Sequence, residues 1–150
     1  MAVSQIYDPK TFDPRSMGVG RLLARVKIAM HEALDESLAP FDITAAQYVI
    51  LVNLASGEVN SASELCKGVS YDPGAMTRML DRLEKKGLVR RARSPEDRRK
   101  VILELTAAGK ALYPKLTEVH VNVLNRFMQR FTKAEADTLG KLLERMLANG

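Results

Sequence analysis

Apolar residues in this chain recur three and four positions apart over most of its length, and two apart in only one short stretch. The helical spacing begins with Leu22, Val26, Met30, Ala33 and Leu34, which predicts a long first helix from Ser16 to Leu38. Ala39-Pro40-Phe41 breaks it, because proline removes a donor and crowds the preceding turn. A second helix carries Tyr48, Val49, Leu51, Val52 and Leu54. Thr44 and Gln47 open it as a capping box and Gly57 ends it. Ser61 with Glu64 repeats the box and opens a short third helix through Leu65 and Cys66, with Gly68 to Tyr71 as the turn that follows. Asp72 caps a fourth helix and Pro73 stands at its first position, where the missing N–H costs nothing. Gly87, after Lys85 and Lys86, closes it.

The period then changes to two. Val101, Leu103 and Leu105 alternate against Lys100, Ile102 and Glu104, which predicts a strand from Lys100 to Leu105. Leu88 to Arg93 reads as its partner, with Ser94-Pro95-Glu96-Asp97 as turn material between them. Thr106 caps a fifth helix bearing Leu112, Leu116, Val119, Val123, Phe127 and Phe131, with a kink or delayed start expected near Pro114. Thr132 and Glu135 form a third capping box. The helix after them carries Leu139, Leu142, Leu143, Met146 and Leu147 as an apolar stripe that its sequence neighbours do not cover. Such a stripe suggests self-association around a two-fold axis. Met1 to Pro14, with Tyr7 and Phe12 between prolines, reads as a partly extended arm whose aromatics pack on another element.

The fourth helix and the hairpin belong together. At about 100° per residue, Met76, Met79, Leu80 and Leu83 share one face of the helix. Gly74, Thr77, Arg78, Asp81 and Lys85 share the other. A short capped helix with a small, polar, basic outer face has the dimensions of a major-groove reader. The third and fourth helices, joined by a glycine-containing turn, make a helix-turn-helix. Charge sharpens the picture. Between Arg78 and Lys100 there are ten Lys and Arg against four Asp and Glu, a local +6, while the whole chain carries +5 and everything outside the window sums to −1. A charge run by itself is more often a solvated face. Carried on a capped helix and a hairpin tip, it is a patch suited to neutralising phosphates.

Composition bounds the rest. At 150 residues the chain holds one domain, with hydrophobics at 46% and charged residues at 27%, the balance of a soluble globular protein. Tryptophan is absent, so packing rests on aliphatic residues and methionine. No apolar run approaches the roughly 18 residues a bilayer requires, and the first residues lack a signal-peptide pattern. The lone Cys66 excludes an internal disulfide and fits a reducing compartment, so a cytoplasmic location is expected, without membrane association. Catalytic constellations are missing. His31 and His120 stand apart from any metal-ligand spacing, and Gly18-Val19-Gly20 lacks the third glycine of a phosphate loop. No nucleophile elbow occurs, and Glu32 with Glu36 is ordinary helix-surface spacing. Cys66 has Lys67 beside it but sits among apolar neighbours, which does not favour a reactive thiolate. No enzyme, no metal and no cofactor is expected.

The run from Asp72 to Leu83 (D-x-G-A-x-T-R-M-L-D-R-L), Lys86-Gly87, Asp97 and Arg99 ahead of the strand, and Leu105-Thr106 resembles the MarR family of winged helix-turn-helix regulators. Asp42-Ile43-Thr44-Ala45-Ala46-Gln47 fits the same family, and the likeness extends from about Gly20 to Leu147. The resemblance implies a mainly α fold with a small β-hairpin wing in a single domain over residues 1–150. Residues 42–106 would be the winged helix-turn-helix lobe that binds DNA. Residues 1–38 and 107–150 would supply dimerisation helices, the first, fifth and sixth. The family's peroxide-sensing branch carries its cysteine near the start of the first helix, where this chain has none.

The expected function is a homodimeric transcriptional repressor on a palindromic double-stranded operator, its half-sites roughly 10 bp apart. The alternative is an architectural or helical interaction module that binds nucleic acid non-specifically; discrimination of one duplex from bulk DNA separates the two. Asp72, Gly74, Thr77, Arg78, Arg82, Arg93, Asp97, Arg98 and Arg99 are the expected DNA-binding residues. Arg78 suits a bidentate contact to guanine, Thr77 a base edge or phosphate, and Gly74 a close approach. By the resemblance, Asp97 orients Arg99, which enters the minor groove. The resemblance also implies a small aromatic acid or phenol as effector, bound where the dimerisation helices meet the DNA-binding lobe. Arg21 and Arg25, one turn apart, suit its carboxylate, with Tyr48, Tyr113 and His31 as polar handles. Each has a plainer alternative, as a salt bridge or a core aromatic with its hydroxyl at the surface.

Overall fold

A computed structural model describes residues 6–16, 18–69 and 71–150, with the side chain of Val69 outside the description. Met1 to Gln5 of the expected arm, Met17 in the expected first helix and Ser70 in the turn after the third helix therefore lie outside it. The order is α1 (Val19–Leu38), a single 3-10 turn (Ala39–Phe41), α2 (Ala45–Ser56), α3 (Ala62–Val69), α4 (Pro73–Lys85), β1 (Val89–Arg93), β2 (Val101–Leu105), α5 (Ala107–Phe127) and α6 (Lys133–Asn149). This is the mainly α winged helix-turn-helix arrangement.

Local capping sets most boundaries. The Thr44 hydroxyl accepts from Gln47 N–H, and the Gln47 side chain accepts from Thr44 N–H, so the box closes reciprocally at 3.1 Å on both sides. Thr132 and Glu135 do the same for α6. At α3 the Ser61 hydroxyl accepts from Glu64 N–H at 3.2 Å. The return bond from Glu64 is absent among the described residues, so the expected box is half formed. Gly87, at φ 72°, turns the chain out of α4 in the left-handed region. Its N–H reaches Glu84 O, and Leu88 N–H reaches Leu83 O, the paired bonds of a Schellman cap.

Several boundaries differ from the sequence pattern. α1 starts at Val19 rather than Ser16, with Gly18 at its cap position and no side chain to close the first turn. The strands lose Leu88 and Lys100 from their expected ends. α5 runs from Ala107 through Pro114 with no delayed start and stops at Phe127, so Phe131 lies beyond it in the link to α6. Apolar spacing persisted past the last helical turn there, because Phe131 continues the period without belonging to the helix.

The core gathers Leu38 from α1, Ile50 and Leu51 from α2, Leu65 from α3, Met76, Leu80 and Leu83 from α4, Val89 from β1 and Leu116 from α5, all essentially solvent-free. α1 and α5 pack against each other, and α2 packs against both β2 and α5. Leu105 and Leu88 seat the start of α5. A methyl group at Gly109 would overlap the Leu88 carbonyl oxygen, so only glycine admits this approach of helix to strand. α6 contributes no buried residue. Among the described residues no single helix is long and apolar enough to cross a membrane.

Candidate nucleic-acid interface

The α4 start is fixed by Asp72, which is extended (φ −68°, ψ 154°) and accepts Ala75 N–H on its carboxylate at 2.9 Å. With Met76, Leu80 and Leu83 buried, the opposite face places Gly74, Thr77, Arg78, Asp81, Arg82 and Lys85 in solvent. The Thr77 hydroxyl donates to Pro73 O at 2.9 Å. Its proton is committed, so toward a nucleic acid this hydroxyl is an acceptor, suited to a base amino group. A Cβ placed on Gly74 would sit 3.5 Å from Arg78 Nη1 and 3.1 Å from the Asp72 carboxylate. The Arg78 guanidinium thus folds back along the first turn, over the gap that glycine leaves.

The hairpin pairs Val89 with Leu105, Arg91 with Leu103 and Arg93 with Val101, in antiparallel register. Leu103 and Leu105 face the core, while Val101, nearest the tip, is exposed. The outer edge of β2 is tied down as well, since Leu103 N–H donates to Asn60 O at 2.7 Å. Ser94 N–H meets Lys100 O, and Lys100 N–H meets Asp97 O, both at 2.9 Å. The Asp97 carboxylate accepts the Arg99 backbone N–H at 3.0 Å. Asp97 therefore orders the backbone of Arg99 rather than holding its guanidinium. Arg93 donates to Arg98 O at 3.1 Å and straps the tip from below.

The cations of this patch fall into two groups. Arg90 pairs with Glu104 at 2.7 Å, Lys86 with Asp42 at 3.3 Å, and Arg91 with Asp81 at 3.0 Å and also with Glu84. These pairs brace the hairpin on α4 and α4 on the α1–α2 corner. Arg78, Arg82, Lys85, Arg98, Arg99 and Lys100 have no carboxylate within 4 Å among the described residues. In the sequence alone the ten cations of this window are equivalent. The pairings of Arg90 and Arg91 join different elements, 7 to 14 positions apart, and only the β1–β2 register and the packing of β1 on α4 bring their acids into reach. What remains is a row of uncommitted cations on the outer face of α4 and at the hairpin tip, the chemistry of a polyanion contact.

The residues expected to hold an effector are spread over several places. Arg21 donates to Arg15 O at 3.2 Å and lines a cavity of about 520 Å³ with Tyr7, Phe12 and Met146. Arg25 lies farther along α1, exposed. His31 faces Asp35 across 3.6 Å. Tyr48 is buried, with its hydroxyl 3.2 Å from Nδ1 of His120 and the two rings edge to face at 5.2 Å. Tyr113 lines another cavity, below the hairpin. The five do not share one cavity within a single chain. His120 has no partner nearby in sequence; Tyr48 lies 72 residues away, a separation that leaves no local signal. Among the described residues no cluster of His, Cys, Asp and Glu is able to hold a metal.

Comparison with known proteins agrees with this geometry. The MarR family model matches residues 43–101, the span from α2 through the hairpin turn. Multiple antibiotic resistance protein MarR of Escherichia coli is 38% identical over 130 residues, covering 86% of this chain and 90% of that protein. A mutant of Escherichia coli MarR solved in complex with operator DNA superposes with a TM-score of 0.76 at 37% identity, over 86% of this chain and 93% of that one. BpsR of Bordetella bronchiseptica, whose DNA binding is regulated by 6-hydroxynicotinic acid, matches at TM-score 0.78 and 26% identity, over 89% of this chain and 96% of that one.

Proposed function

This chain belongs to the MarR family of helix-turn-helix transcriptional regulators, and from that premise we propose that it is a homodimeric repressor released from a palindromic operator by a small aromatic acid or phenol. It is not an enzyme. The observation that carries the reading is the row of unpaired cations, Arg78, Arg82 and Lys85 on α4 with Arg98, Arg99 and Lys100 at the hairpin tip. α4 lies in the major groove, with Arg78 on a guanine and Thr77 accepting from a base amino group. Arg98 and Arg99 meet the backbone or the adjacent minor groove. Asp72, Gly74, Arg93 and Asp97 shape these contacts by fixing the start of α4 and the hairpin tip. A relative solved in complex with operator DNA supports DNA as the partner.

Dimerisation is supported by exposed apolar residues on α1 and α6, which a second copy would cover. Two recognition helices related by a two-fold axis then read half-sites roughly 10 bp apart. Regulation of a relative by 6-hydroxynicotinic acid supports an aromatic acid as effector. Its action is a shift in population toward a geometry that binds DNA poorly, limited by its own preference for that geometry. The site of action is the cytoplasm, where the operator is. Selection of duplexes from a random library tests the reading. A palindrome bound at least about 10³-fold better than bulk DNA is expected. Recovery of no consensus, with affinity that tracks salt alone, would favour the non-specific architectural role.

A further inference from the structure

The end of α4 meets the α1–α2 corner across an open cleft of about 450 Å³, with Asp35, Asp42, Thr44 and Gln47 on one side and Arg82 and Lys86 on the other. The Lys86 side chain spans it. Its ammonium donates to the Asp42 carbonyl oxygen, stands 3.3 Å from the Asp42 carboxylate and reaches Gln47 Oε1 at 3.4 Å. An ammonium has three donors, and three acceptor atoms converge on this one. Both acceptor residues are themselves fixed. Asp42 holds a left-handed turn at φ 56° where the chain leaves α1 and its 3-10 turn. Gln47 is 3% exposed and already takes Thr44 N–H in the capping box of α2. Stability is not what such a tie mainly supplies, because the Asp42 side chain is 91% exposed and an ion pair that open adds little to folding. What it fixes is direction. α1 carries apolar residues open to a second copy and α4 carries outward cations, so Lys86 connects the dimerising part of the chain to the DNA-facing part.

We propose that Lys86 is a positioning residue for operator binding: its tie to Asp42 and Gln47 holds α4 at one angle to α1, and thereby sets which half-site spacing the dimer accepts. The proposal rests on the regulator reading and deepens it by naming what makes the spacing selective. Geometry gives the scale. α4 has 13 residues, so it is about 20 Å long, and a tilt of about 10° moves one end against the other by about 3.5 Å, close to the rise of one base pair. In a two-fold dimer both helices tilt together, and the error doubles. No DNA contact is asked of Lys86 itself, since its donors already have acceptors within its own chain.

The test is a spacer series of the selected duplex, with half-sites moved one and two base pairs closer or farther. Wild type should lose about 10²-fold in affinity at one base pair off, since only one half-site is then engaged. Lys86→Met keeps the length of the side chain and removes its donors. It should bind the best-spaced duplex within about threefold of wild type, yet lose less than about tenfold at one base pair off. Lys86→Arg should restore the sharp profile. Asp42→Asn keeps the carbonyl acceptor and tolerates the positive φ, and should fall between wild type and Lys86→Met. A wild-type spacer profile in Lys86→Met, or an equal loss at every spacing, as a purely structural role would give, overturns the proposal. Should Lys86→Met fail to fold, Asp42→Asn decides by the same criterion.

A second measurement needs no DNA. Spin labels on Lys27→Cys in α1 and Lys85→Cys in α4, in a Cys66→Ser chain diluted into unlabelled protein, report the α1–α4 distance within one chain. Lys86→Met should widen that distribution by about 3 Å, the swing of the tilt above, and an unchanged width overturns the proposal. Failure of the wild type to select a palindrome would count against the regulator reading, and the distance measurement would still decide the tie.

Discussion

The lobe from α2 to the hairpin and the pair of terminal helices solve the burial problem in opposite ways. Of the 19 buried hydrophobic residues among those described, 14 lie between Ile43 and Leu105, so the lobe supplies most of the core, with α1 and α5 adding the rest. α6 buries none, and Leu142, Met146 and Leu147 stand 42%, 48% and 81% exposed. Leu22, Val26 and Ile28 on α1 are similarly open. α6 nonetheless has a complete capping box and an unbroken apolar stripe. A helix can thus be locally well specified and still lack anything to pack against. The lobe buries its apolar side chains against each other and against Leu38 and Leu116, while α6 leaves its stripe open.

The largest expected effect comes from charging that open surface. Leu142→Asp with Met146→Asp should convert the protein to a monomer in light scattering, while the lobe keeps its helical circular dichroism. Affinity for the selected duplex should fall by about 10²–10⁴, because two half-sites no longer bind as one unit. A variant that stays dimeric with full affinity would place the association surface elsewhere and erase the contrast.

The contrast also tracks what could be read from sequence. Thr44 with Gln47, Asp72 with Pro73, Gly87, and Thr132 with Glu135 were legible because each is settled within a few residues. The hairpin was legible because a period of two stands out in a chain of helical periods. Features that depend on how separate elements pack were not. The Tyr48–His120 pair, the Leu103–Asn60 bond and the clamp of Arg91 on Asp81 and Glu84 join separate elements and leave no mark in the local pattern. The exposed cationic patch was legible because its residues fall on α4 and the hairpin, within one short window of the sequence. The expected effector residues were drawn from α1, α2 and α5, and those elements do not bring the five to one cavity.

Two substitutions within the lobe sharpen its side of the comparison. Met76→Ala removes a fully buried side chain where α4 meets the core, and should cost about 2–5 kcal/mol in denaturant unfolding. A loss well under 1 kcal/mol would mean that the lobe core is less tightly shared than its burial indicates. Arg78→Ala leaves the core untouched and acts only on the outer face of α4. It should cost about 1–3 kcal/mol in binding to the selected duplex and relax preference at one base position per half-site, with thermal stability unchanged. Uniform weakening across all sequences would move Arg78 from base contact to phosphate contact.

The smallest effect separates two arginines of the hairpin that the sequence does not distinguish. Arg98 sits at the tip without a carboxylate partner, while Arg91 is bound to Asp81 and Glu84 and braces β1 on α4. If the free cations face phosphate, Arg98→Ala should flatten the log–log salt slope by about one unit. It should weaken every duplex alike, by roughly fivefold at physiological salt, and leave dimerisation and unfolding as they are. Arg91→Ala should do the reverse. Its ion pairs are half exposed, so stability should fall by less than about 1 kcal/mol, with no change in salt slope. Should Arg91→Ala change the slope as much as Arg98→Ala does, ion pairing in the free protein would not predict which cations meet DNA. The division of this patch into bracing and binding residues would then have to be redrawn.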